Sequence, residues 1–157
     1  MSATLTEKPV DGSTVPDRSI QERNKELALS MVAAWNRWEL DGIIKHWAPG
    51  IRHFSEDRQV DSQAMVGAMQ GGLAAFPDLH LDVKSILAED DRVALRLTVT
   101  ASQQGEFMGK APTGRKVTWF MLEELRFNDA GQVIEHYDIF NYLPMLKELE
   151  FVASDVL

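Results

Sequence analysis

The chain of 157 residues carries 24 acidic and 16 basic side chains, which gives a formal net charge of −8. Its length fits one domain, and its 45% apolar and 25% charged residues are typical of a globular protein rather than a disordered or fibrous one. The acidic balance and the lack of a clustered Lys/Arg stripe argue against nucleic acid or an anionic membrane as a partner.

Several features of secreted and membrane proteins are missing from the sequence. There is no cysteine, which excludes disulfides, thiolate nucleophiles and zinc–sulfur sites. No apolar run approaches the roughly 20 residues that span a bilayer, and the first residues lack the apolar core of a signal peptide. We therefore expect a soluble, cytoplasmic protein.

The N-terminal half has helical patterns. Residues 1–17 show no periodicity and are predicted to be a mobile tail, followed by a single domain over 18–150 and a C-terminal tail over 151–157. A long amphipathic helix is predicted from about Ser19 to Glu39, and a short helix from Ile43 that ends at Pro49-Gly50. IRHFSED could be a short strand, and Asp61 can cap a third helix.

From Leu79 onward the apolar pattern changes to alternation. Two hairpins are predicted, the first turning at residues 89–91 and the second at residues 128–131, and Pro144 can open a last short helix. Three helices followed by four antiparallel strands indicate an α+β fold, in which helices on one side of a curled sheet leave a pocket. The predicted pocket walls include Trp35, Trp38, Met65, Met69 and Leu73.

The strand GQVIEHYDIFNY carries the best candidates for acid–base chemistry. His136 and Asp138 share a face with Ile134 and Phe140, with Cα atoms about 6.6 Å apart. If this face lines an enclosed pocket, Asp138 can take or give a proton. If the face is exposed to water, His136 and Asp138 are two polar surface residues without a catalytic role. The opposite face is also apolar, which suggests that a partner subunit covers it and that the protein is a homodimer.

Three segments together resemble the SnoaL-like polyketide cyclase family of the nuclear-transport-factor-2-like (NTF2-like) superfamily. They are FPDLHLDV, then DDRVALRLTVTASQQGEFMGKAPTGRKV, then LRFNDAGQVIEHYDIFNYLPMLKEL. The resemblance covers roughly residues 24–149. It implies a cone-shaped fold, with a strongly bent sheet wrapped around a long helix, an apolar cavity and dimerisation through the outer face of the sheet.

The resemblance also implies a chemistry. In the polyketide cyclases an aspartate on the last long strand is the acid/base of an intramolecular aldol ring closure, without metal or organic cofactor, and Asp138 matches it. His136 matches a histidine of the same motif, and Asn36 resembles a cavity-lining asparagine. A cavity histidine of the cyclases falls at Glu123 or Glu124 here, and Ala101-Ser102-Gln103 replaces a Gly-Thr-His-like stretch.

The predicted site thus pairs an acid–base group with an apolar wall. Because Glu123 and Glu124 are adjacent on a strand, one faces inward and is a second candidate acid. The four histidines have no metal-ligand spacing, so we expect no metal site, and the resemblance to the cyclases implies that no cofactor is needed. The residues predicted to contact an apolar small-molecule substrate are Trp35, Asn36, Met65, Met69, Trp119, Glu123, Glu124 and Phe140.

Two other functions stay open from the sequence. Epoxide hydrolysis, known in the same fold, uses paired carboxylates and an arginine, which Arg96, Asp138 and a glutamate could approximate, although no Arg-x-Asp occurs on that strand. The second possible function is that of a ligand-binding or assembly module without catalysis. Related proteins with this cone-shaped fold include modules of both kinds.

Overall fold

The computed structural model describes residues 18–155, so the predicted tail over residues 1–17 and the last two residues lie outside the described part. Within this described part, four helices and six strands follow one another. They are α1 (Arg18–Trp35), α2 (Leu40–Ile44), β1 (Trp47–Ser55), β2 (Arg58–Val60), α3 (Ser62–Ala75), β3 (His80–Glu89), β4 (Arg92–Ser102), β5 (Lys116–Phe127), β6 (Val133–Asn141) and α4 (Leu143–Glu148).

The strands form one curved sheet in the order β2-β1-β6-β5-β4-β3. The pairs β3–β4, β4–β5 and β5–β6 are antiparallel, as the alternation predicts, and the turns lie where they are predicted. The predicted α+β fold is therefore confirmed. Besides the four long predicted strands, the sheet contains β1, which includes most of the possible short strand IRHFSED, and β2. The sheet is mixed, because β1 runs parallel to β6.

Two predicted helices differ from the structure. The first ends at Trp35 instead of Glu39, because Trp38 has the left-handed φ of 59°, which a continuing helix cannot contain. The second lies earlier, at Leu40–Ile44. Pro49 and Gly50 do not end a helix. They lie inside β1, where the pairing register with β6 shifts, and such an irregularity tolerates a proline and a glycine at φ 75°.

The third helix begins where the sequence predicts. The Asp61 side chain accepts a hydrogen bond from the Ala64 amide, at 2.9 Å, and so caps α3. Met65 and Met69 on this helix are buried. The last predicted helix also forms, with Pro144 in its first turn.

The core lies between the helices and the concave face of the sheet. Alternate residues of β4 are almost fully buried, with Leu95, Leu97 and Val99 at 1% exposure or less, and α1 packs against β3 and β4. Burial of such a continuous apolar face is the main stabilising contribution to the fold. None of the helices within residues 18–155 is long and apolar enough to cross a membrane.

The segment between β4 and β5 is organised by one buried side chain, Gln103. Its amide nitrogen donates to the Ala111 carbonyl at 3.2 Å, and its amide oxygen accepts from the Thr113 hydroxyl at 2.7 Å. Phe107, carried by this segment, contacts the ring of Phe151, a residue of the predicted C-terminal tail. The loop is thus held against the end of the domain.

Candidate active site

A cavity of about 300 Å³ lies between the helices and the concave face of the sheet. Its volume is at the small end of the range of roughly 300–1,000 Å³ that small-molecule sites span. Most of its wall is apolar, and the titratable groups are gathered on β5, β6 and the residue after β6. The polar side chains at the wall are Ser55, Trp35, Trp47, Trp119, Glu123, His136, Asp138 and Tyr142.

Three neighbouring strands bring the acid–base groups together. Ser55 of β1 lies beside Asp138 of β6 in the parallel pair, and Glu123 of β5 lies beside Asp138 on the other side. Two residues along, His53 of β1 lies beside His136 of β6. Because alternate residues of a strand share a face, this register places all five side chains on the concave side.

Asp138 is the central carboxyl of this cluster and is only 5% exposed. The Ser55 hydroxyl donates to its Oδ1 at 2.5 Å, and the Nε2 atom of His136 is 3.7 Å from its Oδ2. Burial raises the pKa of Asp138 above its ordinary value. The hydrogen bond from Ser55 and the charge of His136 oppose this rise, and Glu123 adds to it. Such a carboxyl is a stronger base than an exposed one and remains protonated to higher pH.

His136 lies between the two carboxyls. Its Nε2 atom is 3.4 Å from Oε1 of Glu123. Burial alone would lower the pKa of His136, but the hydrogen bond to Glu123 and the negative charges of Glu123 and Asp138 outweigh it and raise that pKa. The imidazolium is therefore the favoured form of His136 when its neighbours are ionised.

His53 lies behind His136, fully buried. The Nδ1 atoms of the two rings are 3.3 Å apart, a distance at which one ring can donate a hydrogen bond and the other accept it. Burial, with the charge of His136, lowers the pKa of His53 to about 4. Its ring meets that of Trp47 edge-on, with centroids 4.4 Å apart. His53 is thus a neutral support for its charged neighbour.

We expect the two histidines to titrate at opposite sides of the ordinary value, His53 near pH 4 and His136 above about 6.5. Proton-detected NMR of the imidazole carbons measures both. Because the pKa of His53 is lower in the folded than in the unfolded chain, its contribution to stability is present above about pH 6.5 and is lost as pH falls toward 4. Two ordinary titrations near 6.5 would contradict the arrangement.

Most residues that the sequence predicts for the site meet at this cavity. Ile134, Trp38 and Leu73, which the sequence also directs toward a pocket, are not part of its wall; Trp38 is 54% exposed. The predicted residues that do line the cavity are Trp35, Met65, Met69, Trp119, Glu123, His136, Asp138 and Phe140.

Two predicted substrate contacts, Asn36 and Glu124, lie elsewhere. The amide of Asn36 is taken up by the backbone of Leu81, donating to its carbonyl at 2.9 Å and accepting from its N–H at 2.7 Å, so Asn36 joins α1 to the sheet. Glu124 points to the outer face and pairs with Arg92. Of the two adjacent glutamates, Glu123 is the inward one.

The arginine of the epoxide-hydrolase alternative is also on the wrong side. Arg96 alternates with the buried Leu95 and Leu97 of β4 and is exposed on the outer face. It cannot activate water together with Asp138, because the sheet separates the two side chains. This removes the arrangement on which that alternative depends.

Three residues of the cluster were not predicted as site residues: His53, Ser55 and Tyr142. The alternation of IRHFSED puts His53 and Ser55 on one face, which is the only local signal. Tyr142, just after β6, stacks on Phe140 with ring centroids 4.8 Å apart. Burial, with the nearby carboxyls of Asp138 and Glu56, raises the pKa of Tyr142, so its hydroxyl stays protonated.

The arrangement contains the kinds of group that proton transfer requires. It offers a carboxyl of raised pKa, an imidazole held between two carboxyls, and a phenol, all beside an apolar space. Within residues 18–155, no three His, Asp or Glu side chains are arranged to hold a metal ion.

A family model and several solved structures resemble this chain. The family model of SnoaL-like polyketide cyclases matches residues 25–149. Comparison of the sequence with curated proteins found no match.

Solved structures also resemble the chain. AclR from Streptomyces galilaeus, a candidate hydroxylase, is 60% identical, with 87% of this chain and 86% of AclR covered and a TM-score of 0.83. IdmH from Streptomyces antibioticus, a candidate polyketide cyclase, is 27% identical, with 81% and 98% covered and a TM-score of 0.72. A SnoaL-like protein from Jannaschia sp. CCS1 shares the fold at 23% identity, with 88% and 95% covered and a TM-score of 0.74.

Proposed function

Because the chain belongs to the SnoaL-like polyketide cyclase family, with its NTF2-like fold, we propose that it is an enzyme that transfers protons on an apolar, polyketide-type carbonyl compound, with Asp138 as general acid–base. One observation carries the proposal. The Asp138 carboxyl lies at the wall of an apolar cavity, buried and with a raised pKa, where a bound ligand can reach it.

In the cyclase reaction, the Asp138 carboxylate removes a proton from a carbon between two carbonyl groups. The resulting enolate carbon attacks a second carbonyl of the same molecule, one carbon–carbon bond forms, and the protonated Asp138 returns its proton to the new alkoxide. Atoms balance without a co-reactant. The charge of His136 lowers the pKa of Asp138 and that of Glu123 raises it, so these two neighbours partly offset each other.

Hydroxylation is a second candidate, and the 60% identity to AclR favours it. It shares the first step: Asp138 removes a proton from a phenol or an activated carbon. The carbanion then binds oxygen from O₂ as a hydroperoxide, and a two-electron reductant cleaves the O–O bond, leaving one oxygen on the substrate and one in water. Asp138 supplies protons to the departing oxygen.

The experiment that tests the function separates these reactions. Purified protein is incubated with poly-β-ketones and with phenolic anthrones, with and without O₂ and a chemical reductant, and the products are followed by mass spectrometry. Ring closure at unchanged mass or with loss of water, independent of O₂, supports the cyclase. A gain of one oxygen atom that requires O₂ supports the hydroxylase. Binding without any turnover would favour the non-catalytic module instead.

A homodimer through the outer face of the sheet is also proposed. Three apolar side chains there are about half exposed: Phe120 at 49%, Leu122 at 55% and Ile139 at 55%. Leu122 and Ile139 are paired across β5 and β6, so they form one patch. A second copy of the chain offers the same patch to it, and burial of apolar area would drive association.

We expect the protein to sediment as a dimer at micromolar concentration and Leu122→Asp to sediment as a monomer with an unchanged circular dichroism spectrum. A charge at this position must be desolvated at the interface, whereas in the monomer it meets water. Met108→Asp, at a residue 71% exposed outside the sheet, is the matched control and should remain a dimer. A wild-type monomer would contradict the proposal.

A further inference from the structure

Strand β1 contributes two side chains that contact the acid–base cluster. In the parallel pair of β1 and β6, His53 lies opposite His136 and Ser55 lies opposite Asp138. The Ser55 hydroxyl donates to Asp138, and the Nδ1 atom of His53 is 3.3 Å from the Nδ1 atom of His136. Ser55 lines the cavity, whereas His53 lies behind its wall. Any influence of His53 on a bound ligand therefore passes through His136.

The surroundings of His136 determine where its protons lie. Its Nε2 atom faces carboxyl oxygens, 3.4 Å from Glu123 and 3.7 Å from Asp138. An ionised carboxylate can only accept, so Nε2 carries a hydrogen. The Nδ1 atom carries a second hydrogen only when the ring is charged, and this hydrogen then needs an acceptor. The atom in position to accept it is Nδ1 of His53.

The His53 ring is fixed by its surroundings and has one polar contact. It is fully buried, and the ring of Trp47 meets it edge-on. Its other nitrogen, Nε2, has no hydrogen-bond partner within residues 18–155. A buried ring with an unpaired nitrogen costs free energy that an apolar side chain would avoid. The contact with His136 is therefore what a histidine adds at this position.

The charges around the two rings favour a charged His136 and a neutral His53. The titratable groups near the rings and Asp138 come from β5, from β6 and the residue after it, and from the turn that follows β1: Glu123, Asp138, Tyr142 and Glu56. The residues that the helices contribute to the cavity wall are uncharged. Burial alone would lower the pKa of His136, but Glu123 and Asp138 raise it, while burial and the charge of His136 lower the pKa of His53 to about 4.

We propose that His53 is a positioning residue for the acid–base reaction: it accepts a hydrogen bond from Nδ1–H of a charged His136 and so holds Nε2–H of that ring beside the carboxyl of Asp138. This inference rests on the proposed function and deepens it. A positive charge held 3.7 Å from Asp138 favours the carboxylate, which is the form that removes a proton from a substrate. Because His53 is itself neutral, it adds no negative charge that would oppose ionisation of Asp138.

The first test needs neither a variant nor a substrate. Long-range ¹H–¹⁵N spectra of the imidazole rings show which ring nitrogens carry hydrogen. They are recorded on the wild-type protein at about pH 6, below the ordinary pKa of histidine and above that of His53. We expect hydrogen on both nitrogens of His136 and, in His53, on Nε2 alone. Hydrogen on Nδ1 of His53, or a bare nitrogen in His136, would overturn the proposal.

Two substitutions separate the hydrogen bond of His53 from its packing. In His53→Asn the amide oxygen is bonded to Cγ, as Nδ1 is in histidine, so it can still accept from His136, whereas His53→Leu fills the space without an acceptor. A packing role would favour Leu, because Asn leaves more empty volume. We expect the midpoint of the His136 titration to fall by about one pH unit in His53→Leu, the scale of one hydrogen bond to a charged group, and to stay near wild type in His53→Asn. An unchanged midpoint in His53→Leu contradicts the proposal.

Turnover gives a further readout, which a merely structural role would not move. In His53→Leu we expect kcat to fall about tenfold and KM to change less than about twofold, since His53 lies outside the cavity wall. The rising limb of its pH–rate profile should move to higher pH, because Asp138 loses the neighbouring positive charge. His53→Asn should keep about half of the wild-type kcat or more.

The outcomes distinguish this inference from the proposed function. Equal losses of kcat in the two variants, or a change in KM alone, would mean that His53 only fills space. If the wild-type protein converts no substrate, the proposed function fails, and the proton positions in the wild-type spectra still decide whether His53 holds a charged His136. The same spectra decide if either variant does not fold.

Discussion

Replacing Asp138 by Asn is expected to lower turnover by about 10²–10⁴-fold, the usual contribution of a general acid–base. The amide has the size of the carboxyl, and its oxygen still accepts from Ser55, but it can neither take nor give a proton at neutral pH. The effect is measured as the rate of product formation from whichever poly-β-ketone or phenolic anthrone the wild-type protein converts. Thermal unfolding should show that the variant remains folded, because Asn relieves the cost of burying a charge.

The matched control for this variant is Glu124→Gln. Glu124 is also a carboxylate of the central strands, but it faces outward and pairs with Arg92. Its replacement should leave turnover within about twofold, because an exposed ion pair of this kind contributes little. Equal activity of wild type and Asp138→Asn would remove Asp138 as the acid–base, and the proposed mechanism with it.

The largest effect on stability is expected from Gly105→Ala. A Cβ atom at Gly105 would lie 2.1 Å from the Ala74 carbonyl oxygen and 3.0 Å from the Ala75 Cα, both backbone atoms that cannot rotate away. The Gly105 amide also donates to the Ala75 carbonyl at 3.0 Å, so the clash opens a contact that closes the end of α3. We expect a loss of about 3 kcal/mol in the free energy of unfolding, measured in urea.

Gly67→Ala is the control for this substitution. Gly67 lies in the interior of α3, and a Cβ added there meets nothing within 4 Å. Alanine should therefore stabilise the protein by about 0.5–1 kcal/mol, because it restricts the unfolded chain and favours the helix. Equal stability of Gly105→Ala and wild type would mean that the loop moves away from α3 without cost.

The parts of the fold that sequence predicts best are those whose signals are local. Alternation over residues 93–99 and 133–140 predicts strands, and the turns between neighbouring strands are short, so both hairpins follow from the sequence. Pro49-Gly50 is local too, but it is ambiguous: the same dipeptide ends a helix or marks an irregular strand. Whether Pro49-Gly50 ends a helix or lies in an irregular strand depends on pairing with β6, which is remote in sequence.

The site shows the same difference between local sequence signals and partners that are remote in sequence. Asp138 and His136 share a face by strand periodicity, and the resemblance to a family adds a role. Nothing in the sequence says that β1 adds to β6 in parallel, so Ser55 could not be placed beside Asp138. Asn36 shows another limit, since a polar residue on a helix flank suits a ligand as well as it suits the Leu81 backbone.

The pairing of β1 with β6 has a consequence for how the protein folds. Ser55 and Asp138 are 83 residues apart in sequence, whereas the neighbours in the rest of the central sheet follow one another along the chain. Contacts between such distant segments form slowly, because the chain must first close the loop between them. During synthesis β1 is made before β6, so the two strands can pair only after β6 has also been synthesised.

An intermediate that contains only the hairpins therefore lacks His53 and Ser55, although Glu123, His136 and Asp138 already lie on its paired strands β5 and β6. In a refolding experiment, recovery of the ordinary signals of strand structure should precede recovery of ligand binding, and the interval measures the joining of the first strand to the last. We therefore expect the environment that gives Asp138 its raised pKa to be completed only when β1 pairs with β6, late in folding.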